Sequence, residues 1–350
     1  MNFASDNAGP MHPSVLQAIV DANTGYEMPY GNDTVMPRVR DMIRTTFEAP
    51  EAAVYLVATG TAANALALST YTNSWDTIYA HSVSHVEEDE CGAPNFYSNG
   101  AKLTLVEGDG AKMTPENLRR AITKTGATDV HAAQRGPVTL TQATEVGTLY
   151  SVEEIAQITN VAKDYGLKTH LDGARFANAC AALGCTAAEM TWKAGIDMLS
   201  FGGTKNGCAG VEAVIFFDPE KAWEFELRRK RGAHLFSKHR FLAAQMEAYL
   251  RDNLWLELGA KANANCARLV KGLQDIEGAE IPDTPQANMV FAHLPRAAHR
   301  RAKEAGAQYY LFPLDVSLNG PDDELIRCRM VCDWNKTNAE IDQLVNLLCG

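Results

Sequence analysis

From about Ala53 onward, short β-rich runs alternate with helical patterns, and this alternation limits the possible folds more than any other feature of the chain. It is typical of a mostly parallel sheet with helices packed on its faces. We predict seven strands, at Val54 to Ala58, Thr77 to Ala80, Lys102 to Val106, Pro137 to Thr141, Leu167 to Leu171, Met198 to Phe201 and Val211 to Phe217. The helix after the fourth strand has a clear start, because Ser151 and Glu154 form a capping box.

A different pattern begins after Phe217, where long helical stretches precede a smaller α+β unit. The strands of this unit are predicted at Ala287 to His293 and Leu325 to Val331. Its last helix begins at Thr337, where Glu340 completes a second capping box. We therefore expect two domains. Residues 1–245 form an N-terminal segment with the large domain, and residues 246–350 form a small α+β domain.

The composition excludes several classes of protein. Of the 350 residues, 46% are hydrophobic, which is enough for a large core and excludes a disordered or fibrous chain. The 32 basic and 43 acidic side chains give a net charge of -11, which has the wrong sign for binding nucleic acid. The dense basic run from Arg228 to Arg231 lies in a helical pattern and is interpreted as a solvated helix face.

The cysteines and the hydropathy pattern indicate the compartment. The eight cysteines include no Cys-x-x-Cys pair, and several lie in apolar stretches, which suits a reducing compartment better than a disulfide framework. The first residues show no basic region followed by an apolar one, so no secretory signal is apparent. No apolar run approaches the roughly 18 residues that a membrane span needs. We therefore expect a cytoplasmic protein without a membrane-spanning segment.

The most informative segments are two strands that each end in small and charged residues. One strand ends with Asp172 and Arg175, and the next ends with a glycine-rich turn that carries Lys205. Ligands of doubly wound sheets lie beyond the carboxyl ends of the strands, so these side chains point toward a site. A desolvated lysine forms imines, and an acid keeps a pyridine nitrogen protonated, so the pair indicates pyridoxal 5′-phosphate (PLP). Alternatively, Asp172 caps a helix and Lys205 lies in solvent.

Two further segments have the chemistry to complete such a site. In the turn around Gly60 and Thr61, the backbone N–H groups of a helix N-terminus and the threonine hydroxyl form a phosphate site, unless the glycine only makes a tight turn. His85 precedes four successive acids, and its imidazole either lies flat on a pyridinium ring or starts a surface helix. Successive carboxylates point in different directions, so we expect no metal here.

Together these elements resemble the fold-type I PLP enzymes, and specifically the low-specificity L-threonine aldolases of the β-eliminating lyase family. The match runs from Ser5 to Arg329, nearly the whole chain. The resemblance implies an α/β fold of the fold-type I PLP-dependent transferase type. Its large domain contains a mostly parallel seven-stranded sheet, and its C-terminal domain is a smaller α+β unit. It also implies PLP as the cofactor.

The resemblance also implies roles for particular residues. Lys205 would hold PLP as a Schiff base, His85 would stack on its ring, and Asp172 would pair with the ring nitrogen; these three are the expected catalytic residues. The expected cofactor-binding residues are Gly60, Thr61, His85, Asp172, Arg175, Lys205 and Lys238, with Lys230 as the alternative to Lys238 for reaching a neighbouring subunit's phosphate. The expected substrate-binding residues are Ser5, Tyr30, Arg175 and Arg329, of which Arg329 would bind the substrate carboxylate.

Two positions depart from the family pattern. Many members carry Glu-Asn-Thr-His-Asn ahead of the helix that begins near Ser151, where this chain has Thr141-Gln-Ala-Thr144-Glu145 and no histidine. Asp89 stands four residues past the stacking histidine, where other members place an aromatic residue. The base that acts on the substrate hydroxyl and the preference at Cβ therefore stay open.

The reaction implied by the resemblance is retro-aldol cleavage of the Cα–Cβ bond. The substrates would be L-threonine, L-allo-threonine and related β-hydroxy amino acids such as phenylserine, and the products glycine and an aldehyde. The same groups could support another PLP reaction at Cα, namely β-elimination, transamination or racemisation. A nucleotide- or sugar-phosphate-binding protein is the alternative from another class. Sites shared between subunits imply a homodimer or homotetramer.

Overall fold

The strands form two separate sheets. The computed structural model of the chain describes residues 1–282 and 284–350. The larger sheet consists of β1 (Ala53–Val57), β2 (Asp76–His81), β3 (Lys102–Val106), β4 (Gln134–Thr141), β5 (Thr169–Gly173), β6 (Met198–Gly202) and β7 (Glu212–Phe216). The smaller sheet consists of β8 (Met289–Pro295), β9 (Tyr310–Phe312) and β10 (Leu325–Val331).

The larger sheet has the spatial order β1-β7-β6-β5-β4-β2-β3. β7 runs antiparallel to β1 and β6, and the other neighbouring strands are parallel. The predicted mostly parallel sheet of seven strands is therefore confirmed. β5 and β6 are buried along their whole length. Because β4, β5 and β6 are parallel neighbours, their carboxyl ends meet at one edge of the sheet.

Helices cover the sheet and connect its strands. Those of the described residues are α1 (Pro13–Ala22), α2 (Met36–Thr46), α3 (Gly60–Thr70), α4 (His85–Glu88), α5 (Ala93–Tyr97), α6 (Pro115–Thr123), α7 (Val152–Asp164), α8 (Phe176–Leu183), α9 (Ala222–Arg231), α10 (Arg240–Leu250), α11 (Leu254–Gln274), α12 (Arg296–Glu304) and α13 (Asn338–Cys349). None of these helices is both long enough and apolar enough to span a membrane.

Local sequence fixes where several of these helices start. The Ser151 hydroxyl accepts the backbone N–H of Glu154 at the start of α7, and the Glu154 carboxylate accepts the N–H of Ser151 in return. Thr337 and Glu340 form the same reciprocal pair at the start of α13. Each pair satisfies two N–H groups that a helix N-terminus leaves without an intrahelical partner. Both predicted capping boxes are therefore present.

The molecule has a large apolar core around the seven-stranded sheet and a second core around the three-stranded sheet. The second core combines Phe3 with side chains from α11, α13, β8 and β10. The long helix α11 packs against both α8 and α13, so it contacts both parts of the chain. Strand β9 was not predicted, because three residues are too few to give a periodic pattern. The domain boundary at residues 245 and 246 stays a prediction.

Candidate active site

A cavity of about 290 Å³ lies at the carboxyl ends of β4, β5 and β6. The residues singled out in the sequence that line it are Gly60, Thr61, His85, Asp172, Arg175 and Lys205. A larger cavity of about 640 Å³ lies at the amino ends of β5 and β6, but none of these six residues lines it in the described part of the chain. The predicted acid and lysine therefore meet at one site, at the edge of the sheet where doubly wound folds bind ligands.

Asp172 is a buried carboxylate whose two oxygens are both held by protein donors. Its Oδ2 accepts Nδ2 of Asn64 at 2.8 Å, and its Oδ1 accepts the backbone N–H of Ala174 at 3.0 Å. Helix α8 begins at Phe176 with Arg175 as its N-cap residue, so Asp172 does not cap this helix. The alternative interpretation of Asp172 as a helix cap is therefore wrong.

A chain of hydrogen bonds joins Asp172 to His85. The same Nδ2 of Asn64 also donates to Glu90 Oε1 at 2.8 Å, and this oxygen lies 2.8 Å from Nδ1 of His85. The hydrogen bond with Glu90 raises the pKa of His85 above its ordinary value, although burial acts in the opposite direction. Burial raises the pKa of Glu90 as well. His85 does start the short helix α4, and it also lines the cavity, while the stacking of its ring on a cofactor stays a prediction.

The same three ionisable residues have the spacing of a metal site. One ligand atom from each of His85, Glu90 and Asp172 lies within 4.8 Å of the others. Asn64 already donates a hydrogen bond to both carboxylates, so the cluster is satisfied in part by protein donors. The expectation that no metal binds here stays a prediction.

The turn that carries Lys205 is fixed by buried hydrogen bonds. Residues Thr204–Asn206 form a short 3-10 helix after β6. The Asn206 amide donates to the Tyr249 hydroxyl at 2.7 Å and to the carbonyl of Trp255 at 2.8 Å. Gly207 follows with φ of 102°, a left-handed conformation that favours glycine. The turn therefore has a rigid base that sets the direction of the lysine side chain.

Lys205 is largely withdrawn from solvent and forms no ion pair with the described residues. Burial lowers the pKa of its amine, and the nearby cation of Arg175 lowers it further. Asp6 and Asp172 act in the opposite direction without cancelling the effect. A lysine amine with a lowered pKa is neutral, and therefore nucleophilic, for a larger fraction of the time. The alternative of a solvated lysine is wrong.

The amino end of α3 forms another wall of the cavity. The Thr59 hydroxyl caps this helix by accepting the N–H of Ala62 at 3.2 Å, and the Thr59 carbonyl accepts the N–H of Ala63. The first N–H groups of the helix, those of Gly60 and Thr61, have no intrahelical partner. These groups and the positive end of the helix dipole attract an anion such as a phosphate.

Arg175 is held by a buried acid that the sequence prediction did not single out. Its Nε and Nη2 donate to the two carboxylate oxygens of Asp6 at 2.7 and 3.0 Å, a bidentate arrangement. Burial raises the pKa of Asp6, but Arg175 and Lys205 lower it by more, so the carboxyl is below its ordinary pKa. Ser5 does not line the cavity in the described residues; its hydroxyl accepts the N–H of Asn7 instead.

Comparison with known proteins assigns the chain to a protein family. The family model described as "Beta-eliminating lyase" matches residues 2–297. The chain belongs to this family. Its members are PLP enzymes. Two proteins named low specificity L-threonine aldolase, from Pseudomonas sp. and Pseudomonas aeruginosa, are 42% and 41% identical to this chain, covering 98% of this chain and 95% of each relative. A solved structure of Leishmania major threonine aldolase superposes with a TM-score of 0.90 and 26% identity, covering 99% of this chain and 98% of that one.

Arg329, on β10 of the smaller sheet, does not line the cavity in the described residues. Its Nη2 donates to the carbonyl of Ala4 at 3.3 Å, and its guanidinium lies 4.9 Å from the centre of the Tyr310 ring. Burial lowers the pKa of Arg329, and Arg175 lowers it further. The charges of the two arginines therefore act on each other.

Other residues implied by the family resemblance lie apart from the cavity. Tyr30 is 42% exposed and lies under the amine of Lys230, which is 4.8 Å from the centre of its ring. Lys238 is exposed and does not line the cavity in the described residues. The basic run on α9 is not uniformly solvated, because Arg229 is buried and donates to the carbonyl of Leu56. The interpretation of this run as a solvated face is therefore wrong for Arg229.

Two acids that were not expected in the site also line the cavity, and of these Glu145 is partly buried and Glu212 is buried. Glu145 accepts the backbone N–H of His85 at 2.7 Å, and burial raises its pKa to about 7. Glu212, on β7, accepts the N–H of Gly203 at 2.9 Å, and burial likewise raises its pKa to about 7. Glu145 lies in the segment that departs from the family pattern, which was the only sign of it in the sequence.

Proposed function

We propose that this chain is a PLP-dependent aldolase that cleaves L-threonine, L-allo-threonine and related β-hydroxy amino acids to glycine and an aldehyde. The observation that carries the proposal is the meeting of Lys205 and Asp172 in one cavity. The lysine has a lowered pKa and no ion-pair partner among the described residues, while the acid is fixed by two donors. The two Pseudomonas relatives, 42% and 41% identical over nearly the full length, support the choice of reaction.

The residues around the cavity fit PLP. Lys205 offers an amine that can bond covalently to an aldehyde, and the N–H groups of Gly60 and Thr61 offer a phosphate site at the start of α3. Asp172 offers a carboxylate for the pyridine nitrogen, and His85 offers a ring that can stack on it. When bound, PLP supplies an electron sink for the pair released at Cα.

The protein's own groups prepare this chemistry. Asn64 and Ala174 fix the Asp172 carboxylate in one orientation, so that it can hold a proton at the ring nitrogen. Asp6 fixes the Arg175 guanidinium through two hydrogen bonds, which leaves one edge of its planar fork for a ligand oxygen. Arg329 provides a second cation for the substrate carboxylate. Holding this carboxylate sets which bond at Cα stands perpendicular to the ring.

We further propose a homodimer or homotetramer in which neighbouring subunits share sites. Tyr30 and Lys238 lie apart from the cavity of their own chain, so a second subunit would have to supply such groups. Phe96 and Leu227, 77% and 52% exposed, line a common groove that would be covered by a subunit contact. A cytoplasmic location fits the free cysteines found at all eight positions.

Product analysis tests the proposed reaction. Purified protein with PLP is incubated separately with L-threonine, L-allo-threonine and phenylserine. Glycine with acetaldehyde or benzaldehyde is the expected outcome. Ammonia and 2-oxobutanoate would indicate β-elimination, and D-amino acid without aldehyde would indicate racemisation; either result would overturn the aldolase assignment.

A further inference from the structure

The following inference rests on the proposed aldolase function and concerns the step that the family resemblance left open. In retro-aldol cleavage the O–H bond of the β-hydroxyl breaks, and the oxygen forms a C=O bond with Cβ as the Cα–Cβ bond breaks. The electron pair of that bond stays on the Cα side, where a proton is later added to give glycine. A group on the protein has to take the hydroxyl proton, and it must have a free lone pair in the cavity.

Most ionisable groups at the cavity are already engaged. Both oxygens of Asp172 accept hydrogen bonds, and Arg175 is paired with Asp6. Glu212 accepts an N–H from Gly203, on the turn that carries the lysine. These groups therefore have structural or cofactor-directed partners that compete with a substrate hydroxyl.

His85 lines the cavity and is one candidate for the proton acceptor. Its Nδ1 pairs with Glu90, and this hydrogen bond raises the pKa of the ring. In the neutral ring with hydrogen on Nδ1, Nε2 keeps a lone pair, so His85 competes with Glu145 for this role, and variants of Glu145 distinguish the two. Glu90 itself has an oxygen without a partner among the described residues, but its side chain is fully buried behind His85 and does not line the cavity.

Glu145 is the other candidate, and its geometry suits the task. Its Oε1 accepts the backbone N–H of His85 at 2.7 Å, which fixes the carboxyl at the cavity wall. Its Oε2 is buried and has no hydrogen-bond partner among the described residues. A buried carboxyl oxygen without a partner is costly, so its presence at a ligand cavity indicates a group that a ligand satisfies. A ligand hydroxyl is the matching donor.

We propose that Glu145 is the base that accepts the proton of the substrate's β-hydroxyl on its free Oε2. The carboxylate stands in the segment where many family members carry a histidine, and this chain has no histidine there. Its hydrogen bond with the backbone N–H of His85 holds it beside that residue at the cavity wall.

The titration of Glu145 is consistent with this role. Burial and the charge of Asp172 raise its pKa to about 7, although the N–H of His85 and the hydroxyl of Thr141 act in the opposite direction. The ionisable groups that face it are His85, Asp172, Arg175 and Tyr150. A base with a pKa near the working pH combines a useful fraction of the ionised form with a useful proton affinity. Because only the carboxylate accepts a proton, kcat should rise with pH through about 7.

The decisive experiment compares two reactions of one variant. Glu145→Gln keeps an oxygen for the N–H of His85 but cannot accept a proton. In the PLP-loaded enzyme we expect kcat for L-threonine to fall about 100-fold or more and the pH dependence near 7 to disappear. Exchange of the α-proton of glycine in D₂O, followed by NMR, needs no β-hydroxyl base and should stay within about threefold of wild type. Glu145→Asp, which retains a carboxylate, should restore part of the rate and the pH dependence.

The controls separate the alternatives. Glu153→Gln makes the same change at an exposed position on α7 and should leave both reactions unchanged. If Glu145→Gln cleaves threonine at nearly the wild-type rate, or if cleavage and glycine exchange fall in parallel, Glu145 is not the hydroxyl base. If the wild-type enzyme exchanges glycine but releases no aldehyde from any substrate, the proposed aldolase function fails instead.

Discussion

Strands β5 and β6 bring a lysine and an acid together at both of their ends. At the amino ends the lysine directly precedes β5 and the acid directly precedes β6, and at the carboxyl ends the acid lies on β5 and the lysine follows β6. At the amino ends, beside the cavity of about 640 Å³, Nζ of Lys168 lies 3.1 Å from Oδ1 of Asp197. At the carboxyl ends, beside the cavity of about 290 Å³, Asp172 and Lys205 form no ion pair with each other. A lysine and an acid thus come together at each end of these two strands, but they form an ion pair only at the amino ends.

The difference shows in how the two lysines bind protons. Burial is the largest single effect and lowers the pKa of Lys168, but the hydrogen bond and charge of Asp197, together with the charges of Tyr71 and Asp218, outweigh it, so the net change is upward. The pKa of Lys205 is lowered, because burial and Arg175 outweigh the acids nearby. A lysine with a hydrogen-bonded counterion stays an ammonium, whereas one without it is available for bond formation. The size of a cavity therefore says less about chemistry than the pairing of its charges.

Replacing the lysines at the two ends should give the largest contrast. Lys205→Ala removes the amine that bonds to the cofactor, so turnover should fall by roughly 10⁴-fold or more, and the visible absorption band of bound PLP should change or vanish. Lys168→Ala should leave turnover and the absorption band unchanged. Equal losses in both variants would show that the two ends do not differ in function.

Replacing the acids gives the next contrast. Asp172→Asn keeps the shape of the side chain but removes the charge that holds a proton on the ring nitrogen. Turnover should fall by about 10²- to 10⁴-fold, with unchanged far-ultraviolet circular dichroism. The Asp197→Asn variant, which is changed at the amino end of β6, should keep the turnover of the wild-type enzyme. Near-normal activity of Asp172→Asn would remove this carboxylate from the catalytic role.

A smaller effect is expected from Arg329, on β10 of the smaller sheet. Arg329→Ala removes a charge-assisted hydrogen bond to the substrate carboxylate, so KM for L-threonine should rise about 10- to 100-fold. kcat should also fall if the arginine sets the angle of the scissile bond. Steady-state kinetics over a range of threonine concentrations measure both, and unchanged constants would exclude Arg329 from the site.

The smallest effect is expected from the ion pair at the amino ends. The side chain of Lys168 is 31% exposed and that of Asp197 is 26% exposed, so solvent screens their attraction. Lys168→Met should lower the free energy of unfolding by less than about 1 kcal/mol, measured by urea denaturation with PLP bound. If the free energy of unfolding fell by several kcal/mol, this ion pair would be as shielded from water as Asp172 and Lys205 at the carboxyl ends.

Much of the architecture could be read from local patterns. The alternation of strand and helix signals gave the seven-stranded sheet, and two capping boxes gave the starts of α7 and α13. The meeting of Asp172 and Lys205 followed from the rule that parallel strands present their carboxyl ends at one edge. These features depend on neighbours in sequence or on the topology of the sheet, so they were accessible without coordinates.

The partners that adjust these groups were not accessible in the same way. Asn64 contacts Asp172 across 108 residues of sequence, Asp6 contacts Arg175 across 169, and Glu145 contacts the backbone of His85 across 60. No period or motif relates such positions, because their proximity results from how helices and loops pack around the sheet.

The sequence by itself determined the class of fold and the chemical types of residue that meet at its edge, because strand periodicity, helix caps and the carboxyl-end rule are local or topological. Only the tertiary structure decided which of the charged side chains form ion pairs with each other and which do not. Burial and hydrogen bonding act over a few ångströms in space, and these distances set the pKa of Lys205 and of Glu145.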